Sequence, residues 1–480
     1  MELAAIFLLP ALAAAISLSP AGRRLAAPAT LAANAVVLVL AVRVAVAATR
    51  TGRVDALDGW LTCDALAALV LVLVAFVAVA AALFSWGYVE HRNGSAGDHK
   101  FRQYYGLYNL FVLAMLAVPI LANIALMWIA VELTTLVSAF LVGFENTAEA
   151  LEAAWKFVVL TTLGAVVALL GVLILYWESQ LAGPAPFTWA GLVAAAPQMP
   201  PALLWPAFLL IFVGFGTKIG IVPLHTWMPD AYSQAPAPIC ALLSGVETTV
   251  ALYVILRLLP VIGLAPGLDA RPWLVGFGLL SVGVATLLLV FVRDFKRLFA
   301  FSTIEHMGII LVAAGLGGAD AHLGATYQMT AHAIAKSFCF FAAGATVLAV
   351  GTQEIAAVRN LARSSPLAAL ALVAGGLAIA GAPPFALFVS EFLILKGGLA
   401  SGQFVTVALL AVLVFIAFCA VMVHVNCMAF GAGERRTVRR IPLACKATIA
   451  LAAIPLVVIG VYVPDPLRAL LTAAAAAIGG

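Results

Sequence analysis

The sequence has 480 residues, of which 65% are hydrophobic and only 10% charged, with 25 Lys+Arg against 21 Asp+Glu for a formal net charge of +4. A soluble domain is about half apolar and about a quarter charged, so a water-soluble fold is excluded, and disorder, collagen and a disulfide scaffold with it. At about 20 residues per span the apolar runs accommodate about 14 transmembrane helices. The expected class is an all-α polytopic membrane protein whose first partner is the lipid bilayer. No nucleic-acid partner is expected, because the Arg and Lys residues sit between apolar runs.

Apolar runs fall at residues 3–20, 27–49, 64–86, 104–121, 123–143, 152–176 and 203–224, then at 238–258, 273–292, 299–316, 325–350, 367–396, 403–430 and 443–463. The chain opens Met1-Glu2 without a basic leader, and Arg23 and Arg24 follow the first run, so that run is expected to stay in place as a span. The fourth and fifth runs are separated only at Ala122-Asn123. Cys63, Cys240, Cys339, Cys419, Cys427 and Cys445 form no C-x-x-C pattern, which gives no reason to expect an iron–sulfur cluster or structural zinc. Arg23, Arg24, Arg102, Arg293, Lys296, Arg297, Arg359, Arg435, Arg436, Arg439 and Arg440 all fall in odd-numbered connections. The positive-inside rule then places those connections in the cytoplasm and both termini on the outer side of the cell inner (plasma) membrane. The basic run from Glu434 to Arg440 is explained by the same topology without a lipid site. No linker divides residues 1–480, which read as a single membrane domain.

Two runs are interrupted. The seventh reads Gly214-Phe215-Gly216-Thr217-Lys218-Ile219-Gly220 before Pro223, Pro229, Pro236 and Pro238, and the twelfth contains Gly381-Ala382-Pro383-Pro384. Such breaks free backbone carbonyls, tolerated at membrane depth only against protein or a wet cavity. The breaks lie five spans apart, an odd number, so two inverted five-helix repeats are expected, at 104–258 and 273–430, with the seventh and twelfth helices broken.

Near the middle of five runs stand Glu132, Lys218, Glu247, Lys336 and Glu391. Each costs about 2.5–3.5 kcal/mol at the bilayer centre on the lowest scales, or roughly 12–17 kcal/mol together if unpaired. Pairing or a chain of waters lowers that cost, and the signs are mixed. Glu132 with Lys218 reads either as a proton-switching pair or as a plain helix–helix salt bridge. His332 and Lys336, four residues apart, share one helical face and suit a relay. Glu305 and His306 follow the basic loop Arg293-Asp294-Phe295-Lys296-Arg297 and read equally as a cap or as a proton mouth. Lys156, near Glu149 and Glu152, and His225 are accessory candidates, and Lys156 is also explained by ordinary helical pairing. Lys396 and His424 are weaker still. A buried Lys suits proton carriage because burial lowers its proton affinity and a nearby carboxylate restores it.

The motifs carry a family resemblance. Trp128-Ile129-Ala130-Val131-Glu132-Leu133-Thr134-Thr135-Leu136 resembles the acidic fifth span of the antiporter-like subunits of complex I and related hydrogenases. Gly216-Thr217-Lys218-Ile219-Gly220-Ile221-Val222-Pro223-Leu224-His225-Thr226-Trp227-Met228-Pro229-Asp230-Ala231 is similar to their seventh-span signature. Asp294-Phe295-Lys296-Arg297-Leu298-Phe299-Ala300-Phe301-Ser302-Thr303, His332-Ala333-Ile334-Ala335-Lys336 and Phe388-Val389-Ser390-Glu391-Phe392 resemble three more. The resemblance runs from about residue 60 to 430. Ser138–Phe144 and Ile304-Glu305-His306-Met307-Gly308 are most similar to the branch formed by the F-type membrane subunits of hydrogenase-4 and formate hydrogenlyase. It implies that Glu132, Lys218, Lys336 and Glu391 belong to a proton path. Glu247 departs from the pattern, since the eighth span of the family often carries a basic residue or none. The chain also ends 16 residues after Pro464, too short for the long lateral helix of the most distal complex I subunit.

The expected function is therefore proton translocation by an antiporter-like membrane subunit of a redox-driven complex, along a midplane relay of Glu132, Lys218, Glu247, His332, Lys336 and Glu391. The chain is expected to be non-catalytic alone and to hold no cofactor. The resemblance implies partners in other membrane subunits and in a peripheral redox arm, of hydrogenase or complex I type, carrying the NiFe and iron–sulfur centres. The alternative is a subunit of a multi-subunit sodium/proton antiporter. A third class is direct haem or quinone binding through His306, His332 or His424; haem needs axial ligands facing one another across helices, which a sequence does not show.

Overall fold

The computed structural model of the protein describes residues 1–92, 98–183, 186–433 and 438–479; Glu434, Arg435 and Arg436 of the expected basic run lie outside them. Helices α1 (Glu2–Leu18), α2 (Gly22–Thr51) and α3 (Ala65–Arg92) follow the first three runs, with strands β1 (Arg53–Ala56) and β2 (Leu61–Asp64) as an antiparallel hairpin between α2 and α3. Next come α4 (Asp98–Ile120), α5 (Ile124–Val142), α6 (Ala148–Leu181) and the short α7 (Trp189–Ala195). The seventh run is split into α8 (Pro201–Ile219) and α9 (Trp227–Gln234). The eighth is α10 (Ala237–Leu242), a π-helical turn over Leu243–Glu247, and α11 (Thr248–Leu264). Helices α12 (Arg271–Phe291), α13 (Phe295–Leu316) and α14 (Ala319–Val350) are unbroken. After the short α15 (Leu361–Ser364), the twelfth run is split into α16 (Pro366–Ile379) and α17 (Ala386–Ala400). The chain continues through α18 (Phe404–Phe430), α19 (Leu443–Val461) and α20 (Asp465–Gly479). Among the described residues 12 helical segments are long and apolar enough to cross a membrane. Helix α1 and the split twelfth run complete the expected set.

Local chemistry sets the boundaries. Asn123 turns the weak break between the fourth and fifth runs into a helix start: its Oδ1 accepts from the N–H groups of Ala125 and Leu126 at 2.9 and 3.2 Å. Thr147 caps α6 at 3.1 Å, and Asp294 caps α13 at 2.6 and 3.1 Å. Alternation of the connections is visible in their contacts. Those at the odd ends meet one another, through Arg23–Asp98 at 3.1 Å, Ser233–Asp294 at 2.8 Å and Arg439 N–Ala349 O at 3.0 Å; this is the arginine-rich face. Those at the even ends meet on the hairpin face, through the bridges Leu61–Leu121 and Asn123–Thr188 and the Asp64–Arg257 ion pair.

The segment α10–α11 and helices α13 and α14 are almost wholly buried and form the centre of the bundle, while α2, α6, α12, α18 and α19 turn much of their apolar surface outward. Two close crossings pack the flanking helices inward, α6 on α8 and α12 on α13. A Cβ on Gly164 of α6 would meet Gly214 O at 2.7 Å, and one on Gly308 of α13 would meet Gly278 O of α12 at the same distance. Small residues let the backbones approach, the packing that substitutes for a hydrophobic driving force inside lipid. The amphipathic α20 folds back along α3 and α14, with Leu470, Leu471, Ala474, Ala475 and Ile478 buried.

Candidate functional site

Lys218 occupies the last turn of α8, just before Gly220 stops the helix in a left-handed conformation (φ +80°). There a side chain would also strike Met228. Backbone groups freed by the break find partners: Thr217 O accepts from Trp227 Nε1 at 2.8 Å, and Val222 N donates to Ser281 Oγ at 3.0 Å. Lys218 Nζ donates to Glu247 Oε1 at 2.8 Å and to Thr135 Oγ1 at 2.7 Å. With side chains 4% and 1% exposed, the two charges neutralise each other inside the protein. The hydroxyls of Thr134 and Ser138 stand 3.2 and 3.4 Å from the same Glu247 oxygen, whereas Glu247 Oε2 is buried without a partner. Glu247 closes the π turn, whose wider hydrogen-bond spacing re-aims the side chains that follow it.

This differs from the expected pairing of Lys218 with Glu132. Glu132 lies on the outward flank of α5, half-buried, where its Oε1 accepts from Thr162 Oγ1 at 2.8 Å and its Oε2 is unpartnered. Lys218 acts on it only through the field. The direct counter-ion comes from the eighth run, because the π turn puts Glu247 against α8.

The centre continues from the same π turn. Ser244 Oγ shares a hydrogen bond with Thr303 Oγ1 of α13 at 2.7 Å, and Ser244 O is 3.0 Å from His332 Nε2 on α14. The rings of His332 and His306 stand edge to face with centroids 5.4 Å apart. Gln328 Nε2 is 3.1 Å from His306 Nδ1, while Gln328 Oε1 accepts from Ser390 Oγ. Glu391, next to Ser390 on α17, sits against Gly381 in the break of the twelfth run, where φ is +68°. Its carboxylate lines a cavity of about 230 Å³ that also borders Ile309, Leu410 and Phe418. Lys336, fully buried, donates to Phe299 O at 3.1 Å. Glu305 is buried inside α13 and interacts electrostatically with both Lys336 and Glu391. Glu305 and His306 therefore belong to the interior cluster, and the cap of α13 is Asp294.

The remaining candidates are peripheral. His225 sits half-buried in the link between α8 and α9, with Nδ1 unpartnered. Lys156 pairs with Glu152 at 2.7 Å and Asp230 at 2.9 Å on the arginine-rich face. Lys396 pairs with Asp320 at 3.0 Å, and His424 Nε2 lies 3.0 Å from Leu289 O. Sequence reasoning passed over the neutral members, Thr134, Thr135, Ser138, Thr162, Ser244, Thr303 and Gln328. Gln328 alone carried a signal, as an amide within an apolar run. Among the described residues no group of three or more His, Cys, Asp or Glu side chains could hold a metal ion.

Fold and site together define a class: a polytopic membrane protein with a buried row of carboxylates, lysines and histidines strung between two broken helices. Comparison with known proteins agrees. The transmembrane-region model of the NADH:quinone oxidoreductase/Mrp antiporter family matches residues 122–417, and the chain belongs to that family. It is 37% identical over 411 residues to a hydrogenase-4 component F homolog of Methylacidiphilum infernorum, covering 84% of this chain and 85% of that one. It is 29% identical to NADH-quinone oxidoreductase subunit N of Desulforudis audaxviator, over 73% of this chain and 69% of the other. A chain of the membrane-bound sulfane sulfur reductase, an archaeal respiratory membrane complex, superposes with a TM-score of 0.88 at 26% identity over 99% of this chain and 97% of that one. A chain of the Mrp complex from Dietzia sp. shares the fold, with a TM-score of 0.87 at 20% identity over 100% and 99% of the two chains.

Proposed function

We propose that this chain is the proton-translocating, antiporter-like membrane subunit of a redox-driven complex of the hydrogenase-4 or NADH:quinone oxidoreductase type. The observation that carries the reading is the Lys218–Glu247 pair, buried beside a helix break and continuous with the His332, His306, Lys336 and Glu391 cluster. A lone buried pair is explained by specificity; a chain of titratable groups and hydroxyls across the bundle is explained by proton transfer. A proton shared between Lys218 and Glu247 passes over bridging waters to His332 and Lys336 and on to Glu391, through the space that Ser244, Thr303, His306 and Gln328 line. Glu132 at one flank and the Glu391 cavity at the other leave the relay open sideways, which suits membrane subunits docked on both sides. Residues 104–258 and 273–430 act as two inverted repeats, each contributing one broken helix.

In this proposal the NiFe and iron–sulfur centres belong to the partner subunits, and the chain resides in the inner (plasma) membrane with its arginine-rich face inward. The relationship to the F-type hydrogenase-4 subunit favours a hydrogenase partner. Co-purification and identification of the partners tests the assignment. Hydrogenase or quinone-reductase subunits with substrate-driven acidification in sealed vesicles are expected. Recovery of small antiporter subunits alone, with sodium-dependent proton exchange, would overturn it.

A further inference from the structure

The half-helix α9 is gripped from several sides at the arginine-rich face. Asp230 accepts from Lys156 Nζ of α6 at 2.9 Å and from Arg297 Nη2 of α13 at 2.6 Å. One carboxylate thus ties the outer α6 to α13 of the centre. Further along α9, Ser233 Oγ donates to Asp294 Oδ2 at 2.8 Å and accepts from Gln353 Nε2 at 3.1 Å. The buried Lys296 Nζ donates to the carbonyls of Ser233 and Ala235, both at 2.7 Å. An ammonium on the last carbonyls of a helix meets the negative end of its dipole.

The start of α9 reaches the residue that precedes Lys218. Trp227 Nε1 donates to the carbonyl of Thr217, the residue before Lys218, and the Trp227 ring packs on Phe157 at 4.8 Å. Tyr232 is fully buried, with its ring edge-on to those of Trp227 and Phe340. The seat of α9 therefore bears on Lys218 through the backbone of Thr217.

We propose that Asp230 is a positioning residue for the Lys218–Glu247 pair: its two-cation clamp fixes the seat of α9, and α9 fixes the pair. The inference rests on the reading of that pair as a proton-handling centre. Lys156 and Arg297 are 45% and 42% exposed and Asp230 is 20% exposed. Pairs this open to solvent add little to folding by themselves, so removing the clamp moves α9 without unfolding the bundle.

The test uses the whole complex in proteoliposomes, with Asp230→Asn, Asp230→Glu, Arg297→Gln and Lys218→Met normalised to assembled protein. Two quantities are read: substrate-driven proton translocation per complex, and hydrogen–deuterium exchange over residues 220–234. Asp230→Asn should lower translocation by about fivefold or more, read as lost turnover at unchanged assembly, and speed exchange in that segment. Arg297→Gln should do the same to a smaller degree, and Asp230→Glu should recover most of both. Unchanged exchange in Asp230→Asn overturns the clamp, as does faster exchange with wild-type translocation or a Glu variant as impaired as the Asn variant. Wild-type translocation by Lys218→Met would overturn the reading of the pair instead, while exchange still reports on the clamp.

Discussion

Removing one member of the Lys218–Glu247 pair separates a structural role from a functional one. The side chains are 4% and 1% exposed, and beyond each other their hydrogen-bond partners among the described residues are hydroxyls: Thr135 for the lysine, Thr134 and Ser138 for the carboxylate. Stranding one partner of such a pair costs about 3–5 kcal/mol, a large share of a typical net stability of about 5–15 kcal/mol. Lys218→Met should fall at the lower end, because the remaining Glu247 keeps its hydroxyl contacts with Thr134 and Ser138. Glu247→Gln strands an ammonium and should yield less assembled protein. The double variant, Lys218→Met with Glu247→Gln, removes both charges and should restore the assembled amount. Proton translocation per assembled complex, measured in sealed vesicles, should be lost in all three, since restored neutrality does not restore a proton carrier. A double variant that assembles and translocates like wild type would refute the reasoning and leave the pair a structural bridge.

Glu391→Gln keeps shape and polarity beside Gly381, so the complex should assemble normally while translocation falls; a fall in assembled protein at unchanged turnover would mean that Glu391 only pins the broken helix. Gly308→Val places a side chain within 2.7 Å of Gly278 O and 2.9 Å of Val282 Cγ2, and overpacking of about 1–3 kcal/mol should appear as a lower melting temperature of the purified complex. Asp64→Asn removes the two-pronged contact with Arg257, at 2.5 Å on each oxygen, and should cost about 1.5–3 kcal/mol as a lost charge-assisted bond, measured the same way. Cysteines introduced at Asp58 and Arg440 should react with an impermeant thiol reagent from opposite sides, Asp58 from outside; equal access from one side would contradict the topology.

Much of the fold was legible because a span must be apolar whatever its neighbours are, and both breaks were legible because Gly and Pro interrupt a helix locally. The buried charges announced themselves by their cost. What depends on rotation about a helix axis was not legible: Glu132 and Glu247 are equally acidic and equally central in the sequence, and only the π turn at Leu243–Glu247 decides which one meets Lys218. The hairpin at Arg53–Asp64 carried a weak signal in Asp58-Gly59, both in positive φ at its turn. It lies in the gap between the second and third apolar runs, which reads as an ordinary connection. Helix α20 is amphipathic rather than uniformly apolar, so a search for spans passes over it. Thr134, Thr135 and Ser138 look like ordinary small residues until α5 packs them against the Lys218–Glu247 pair.

The central claim is that the buried relay moves protons in step with a partner's redox chemistry, and Lys336 tests it most directly. It is fully buried, it donates to the carbonyl of Phe299, and it shares α14 with His332. Its replacement by an apolar residue of similar length removes a titratable group without stranding a bonded carboxylate. Protons translocated per electron transferred should be measured for the purified complex in proteoliposomes, comparing wild type with Lys336→Met at equal assembly. The account requires the ratio to fall in the variant; a wild-type ratio would contradict it and place the proton path outside this chain's relay.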